Sequence, residues 1–166
     1  VDVVRFTDGG TSYETWELPD AGWEDWSAKV DHFLAHAIQR IAAEYADDLV
    51  EWLEINYWQN SGRLIVFPSR DGPLGDRGER VCFELSSEFL ANQSRWVSES
   101  VQEPEQDGVW EEFASSVWRR VGESLLGGQS AHQLAVARKL HKMRVAGYDY
   151  SPGEGPFRLA ESGALA

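Results

Sequence analysis

Val50-Glu51-Trp52-Leu53-Glu54-Ile55-Asn56-Tyr57-Trp58 alternates along its whole length. Successive side chains of a β-strand leave opposite faces. Leu53, Ile55 and Tyr57 therefore share one face, and Trp52, Glu54, Asn56 and Trp58 share the other. Asn60-Ser61-Gly62 supplies a turn, a strand over 63–67 returns, and a third strand over 79–85 puts Val81, Phe83 and Leu85 on one face. The reading is a three-strand meander with an aliphatic face and a mixed face. The mixed face continues through Arg63, Ile65 and Phe67 to Arg80, Cys82 and Glu84.

The segment before the meander supplies what covers the aliphatic face. Val30, Leu34, Ile38, Ile41 and Tyr45 recur at helical spacing, widened by Trp26, Phe33 and Ala37, which predicts one long helix over 23–48. Further back, residues 1–6 and 13–18 flank Asp8-Gly9-Gly10, whose glycines suit a tight turn, so a hairpin is expected. Downstream, Trp110, Phe113, Val117, Val121 and Leu125 form the stripe of a second helix. Asp107 is placed as its cap and Gly127-Gly128 as its stop. Ser130 is placed as the cap of a third helix to about 142, with Leu134, Ala137 and Leu140 inward. A late strand follows over 144–150. Residues 86–93 suit a short helical turn, and 95–101 an edge strand. The glycines of 68–78 make a long loop. Such an order predicts an α+β domain. Its sheet is mainly antiparallel, built from the N-terminal hairpin, the meander and the late strand. One long helix and two C-terminal helices pack on it. Residues 1–166 read as a single domain, with 151–166 a turn-rich tail.

Composition bounds the function. The chain has 28 acidic residues against 15 Lys and Arg, a net charge of -13. Phosphate contacts need a basic surface, so direct binding to nucleic acid or to an anionic membrane is not expected. The acidity is uneven: residues 1–60 hold 13 acids against Arg5, Lys29 and Arg40, whereas residues 127–166 carry a small basic surplus. Cys82 is the single cysteine, so no disulfide framework is implied. No basic region followed by an apolar stretch opens the sequence, so no signal peptide is expected. The expected compartment is the cytoplasm. The basic residues are 12 Arg and 3 Lys, a bias that suits a GC-rich bacterial genome.

Chemistry-bearing motifs are sparse. His32 and His36 have the i, i+4 spacing of helical metal sites, but both point away from the apolar stripe and lack an evident third ligand. They are expected to face solvent, and no metal or cofactor is expected. Gly72-x-x-Gly75-x-x-Gly78 leads into a strand and has no Gly-Lys-Ser/Thr, so it is read as a β–β connection and not a phosphate loop. Acidic pairs such as Glu111/Glu112 arise by chance in a chain this acidic. No catalytic residue is assigned.

The eight tryptophans are the compositional oddity. Trp52 and Trp58 share a strand face with Glu54 and Asn56, which resist burial without partners. The face could still be covered, by the hairpin or by the second helix. If left open, it is an aromatic surface edged with charge, of the kind enriched at interface hot spots. The expected partner-binding set is Asp47, Asp48, Glu51, Trp52, Glu54 and Trp58. A field of this sign favours a basic protein partner. The sequence is therefore read as an acidic protein-binding module of immunity or antitoxin type, occluding a basic toxin such as a nuclease. The alternatives are a chaperone for a secreted effector and a small hydrolase with an unrecognised acid or histidine site.

Overall fold

The computed structural model describes residues 2–7, 10–16, 26–47, 49–58, 63–69, 82–85, 107–151 and 155–160. In chain order these form β1 (Asp2–Thr7), β2 (Gly10–Thr15), α1 (Trp26–Glu44), β3 (Trp52–Trp58), β4 (Arg63–Ser69), β5 (Cys82–Leu85), α2 (Asp107–Gly127), α3 (Gln129–Ala137), β6 (Arg144–Ser151) and β7 (Gly155–Ala160). The fold is α+β. Among the described residues, three helices accompany one seven-stranded sheet in the order β2-β1-β5-β4-β3-β6-β7.

The sheet is mixed and mostly antiparallel. β3, β4 and β5 form the expected meander, with Ile55 opposite Val66 and Val66 opposite Phe83. The hairpin is tighter than its sequence suggests, closing with Thr7 opposite Gly10, and it joins the sheet by pairing β1 with β5. It extends the layer and does not lie over it. The late strand β6 pairs in parallel with β3, Leu53 opposite Val145. That pairing puts a parallel step inside an otherwise antiparallel sheet. A correction follows at the C-terminus: residues 155–160 of the expected tail form β7, antiparallel to β6.

One face of the sheet carries the main core. Leu53, Ile55, Tyr57, Leu64, Val66, Phe83, Leu85 and Val145 meet Val30, Phe33, Leu34, Ala37, Ile38 and Ile41 of α1. Val117, Val121 and Leu125 of α2 and Leu134 and Ala137 of α3 join the same cluster. All three helices thus contribute to one layer. The period-2 pattern of the strands meets the 3.6-residue stripe of α1, as expected. Gly147 lies opposite Ile55 on this face, and a Cβ there would sit 2.7 Å from the Trp118 ring. A glycine is what lets α2 lie so close to β6.

The third helix departs from its sequence reading. It ends at Ala137, and the chain tightens through Lys139 N–H to Val136 O (3.2 Å) and Leu140 N–H to Ala137 O (3.0 Å). These i to i+3 bonds turn Leu140 off the inward stripe. Leu140 is 64% exposed, while His141 turns inward and is buried. Ser130 is not the cap. Gly128 holds that position with no side-chain bond of its own, and Ser130 sits fully buried within the first turn. The expected features at 86–93 and 95–101, and the loop beyond Ser69, lie outside the described residues.

Candidate functional site

The six residues read as a binding set straddle the start of β3. Leu49 and Val50 lead into the strand, and the segment 138–144 runs beside them. Met143 N–H donates to Val50 O (3.2 Å) and Arg144 N–H to Glu51 O (2.9 Å). His141 fastens the junction. Its Nδ1 accepts from Val50 N–H (3.2 Å), so the ring proton lies on Nε2, which donates to Ala42 O (3.3 Å). One buried imidazole therefore ties the end of α1 to the start of β3. Arg138 Nε donates to Met143 O (3.2 Å) and stiffens the same segment from within.

The structure separates the six. Asp47 is exposed and Glu51 is half-buried. Asp48 lies outside the described residues. Trp52 is only 8% exposed, because its parallel neighbour Arg144 lays its guanidinium over the indole, 4.2 Å from the ring centroid. That is a cation–π contact between same-face cross-strand partners. Trp58 is half-buried against Ile65, Phe67 and Cys82. Glu54 is fully buried, as is Asn56.

The mixed face is largely covered although Glu54 and Asn56 resist burial without partners, and Trp58 keeps part of its surface open. Glu54, Asn56 and Glu84 are all buried there, along with Ile65, Phe67 and Cys82. Neither the hairpin nor α2 covers them: the hairpin lies within the sheet, and α2 packs on the opposite face. Glu84 is compensated by Arg63, whose Nε approaches to 3.2 Å from a side chain that stays largely exposed. Asn56 is different. Among the described residues, neither Oδ1 nor Nδ2 of its carboxamide has a hydrogen-bond partner. Such an amide is costly to bury.

The second cluster of chemistry-bearing residues lies on the helix layer. Asp31 of α1 reaches the start of α3. Its Oδ2 accepts from Gln129 N–H (3.1 Å), and its Oδ1 accepts from Ser130 N–H (3.2 Å) and from Ser124 Oγ–H. Ser124 and Ser130 are also in hydroxyl–hydroxyl contact. A carboxylate from another helix thus satisfies the orphan amides and the positive end of α3. A Cβ on Gly128 would run into that carboxylate, which explains the glycine.

Asp, Ser and His occur together here, but not as a nucleophilic relay. The serines bond Asp31 directly, while His32 Nε2 meets Gln129 Nε2 at 3.1 Å. His36 is exposed and packs its ring beside Trp16 (5.4 Å). It shares with His132 a cleft of about 280 Å³ between α1 and α3, lined also by Gln39, Gln129 and Gln133. Among the described residues, no three His, Cys, Asp or Glu side chains gather as a metal site. His141 was missed in the sequence reading. Its signal was weak: a polar residue at the helix exit, four after an inward alanine. None of the described helices is long and apolar enough to cross a membrane.

Compared with protein-family models, curated proteins and solved structures, the chain matches none.

Proposed function

We propose that the chain is a protein-binding module that inhibits a basic toxin, such as a nuclease, by occluding it. The observation that carries this reading is where the charge lies. The strands and helices hold eleven acids against eight Lys and Arg. Most of the surplus lies outside these elements, where seventeen acids stand against seven Lys and Arg. A fold whose framework holds so little of the net charge does not need the rest for packing, and like charges in such number oppose compaction. Charge held in excess of structural need suits attraction of a cationic surface. Asp47, Glu51 and the half-buried Trp58 extend the surface offered to such a partner, and Asp48 is proposed for the same set from its place in the sequence. Trp52 and Glu54 support it from below. The bacterial, cytoplasmic setting belongs to the same proposal.

The test uses the C-terminal domain of any large secreted protein encoded beside this chain. That domain is expressed alone and with the chain. Relief of growth arrest, together with loss of the purified domain's activity at one equivalent, is the expected result. A chaperone of secreted effectors would bind without abolishing activity. Absence of both binding and relief rules out the inhibitor.

A further inference from the structure

The junction between 47–51 and 139–144 shares Asp47 and Glu51 with the reading above and adds a basic strip that the reading does not use. Residues 138–144 hold Arg138, Lys139, Lys142 and Arg144 and no acid, the most basic stretch of a chain with net charge -13. Its backbone is fixed on both sides by the His141, Met143 and Arg144 bonds to 42–51. His141 and Met143 point inward and are buried, so Lys142 and Arg144 alternate outward. Arg138 bonds within the segment and Arg144 lies over Trp52, which leaves Lys139 and Lys142 as the outward cations. No ion pair engages either of them among the described residues, nor Asp47 or Glu51 on the neighbouring segment.

Two leucines accompany these charges. Leu140 is 64% exposed and Leu49 39%. They immediately precede His141 and Val50, the two residues joined by the imidazole bond, so they flank the same junction. One patch therefore carries an acidic strip with a leucine beside a basic strip with a leucine. A two-fold rotation places such a patch against itself with acid over base twice and leucine against leucine between them.

We propose that this junction is the contact surface for a second copy of the chain, in a two-fold dimer. Asp47 and Glu51 of each copy face Lys139 and Lys142 of the other, around Leu49 and Leu140. The dimer is small and charge-rimmed, since exposed ion pairs each contribute little. It exchanges freely and weakens with salt. The inference does not rest on the inhibitor reading, because it concerns the chain alone.

Sedimentation velocity over a concentration series, at low and at high salt, tests it. A monomer–dimer equilibrium that loosens with salt is expected, and a monomer throughout the series overturns the proposal. Leu140→Asp is expected to weaken the dimer about tenfold or more, while Leu126→Asp, as exposed but in the last turn of α2, leaves it unchanged. Equal effects of the two overturn the assigned surface. Two charge variants then decide the pairing: Asp47→Lys with Glu51→Lys, and Lys139→Glu with Lys142→Glu. Each is expected to be monomeric alone, and an equimolar mixture to dimerise. All four side chains lie at the surface or partly so, and circular dichroism confirms that the variants fold. A mixture no more associated than its components overturns the two-fold contact.

Discussion

A single carboxylate decides how two helices meet. Asp31 accepts from two backbone amides and one hydroxyl at the start of α3, and no residue of α3 itself serves as the cap. Loss of an N-cap typically costs about 0.5–2 kcal/mol. Asp31→Ala also strands Ser130, which is fully buried, so the upper part of that range is expected in urea unfolding. Gly128→Ala should reach a similar loss by another route, since its Cβ would also lie 3.0 Å from Ser124 O. A pair of variants each within experimental error of wild type would show that the clasp does not form. Asn56 offers the opposite sign. Its carboxamide is fully buried and has no partner among the described residues, and leaving such a group unsatisfied costs about 1–3 kcal/mol. Asn56→Leu keeps a similar shape without the polar atoms, and is expected to raise the urea midpoint. A lowered midpoint would mean that the amide is bonded in solution.

At the scale of the element, β3 is the strand on which both faces turn. Trp52 and Trp58 leave the same face but do different work. Trp52 is covered by Arg144 and is almost wholly buried. Truncating a buried tryptophan typically costs about 3–5 kcal/mol, so Trp52→Ala is expected to lose stability on that scale. Trp58→Ala, at a half-buried position, should lose markedly less and retain its fold. If Trp58 contacts the toxin, the same variant should weaken binding by about 2 kcal/mol or more, read by calorimetry against the folded fraction. Equal stability losses from the two tryptophans would make the whole face a second core layer. This strand also shows what the residues reveal and what they conceal. Its faces follow from alternation alone, as do the α1 stripe and the meander, because each pattern is local and repeats. The parallel pairing of β3 with β6 joins residues about ninety apart, and nothing local specifies it. The burial of Glu54 and Asn56 is hidden for the same reason: alternation says which face a side chain leaves by, not what arrives to cover it. Leu140 was misplaced because the helical period was carried past Ala137, where i to i+3 bonds end it. Of the six residues read as a site, alternation placed the two tryptophans on one face correctly. Arg144 over Trp52 needed the fold.

On the scale of the whole molecule, most of the net charge lies outside the framework. The strands and helices hold eleven acids against eight Lys and Arg, and the segments outside them hold seventeen acids against seven. A field of this kind acts before contact. It raises the rate of encounter with a basic surface, and salt removes it once the screening length falls to about 8 Å at physiological ionic strength. Stopped-flow association with a basic toxin domain is therefore expected to slow steeply as salt rises, while dissociation changes little. Position should matter as well as number. Neutralising Asp20, Glu24 and Asp25 removes three charges from an acidic segment. Neutralising Asp149, Glu154 and Glu161 removes three from residues 127–166, where bases outnumber acids. The first set is expected to slow association more than the second, although both change the net charge equally. Glu54 is unsuited to this comparison, since reversal of a fully buried carboxylate tests the fold and not the field. If the two sets slow association equally, the effect belongs to net charge alone and no face is directed at the partner. If the rate is flat from low to high salt, the acidity plays no part in encounter, and the observation on which the inhibitor reading stands loses its meaning.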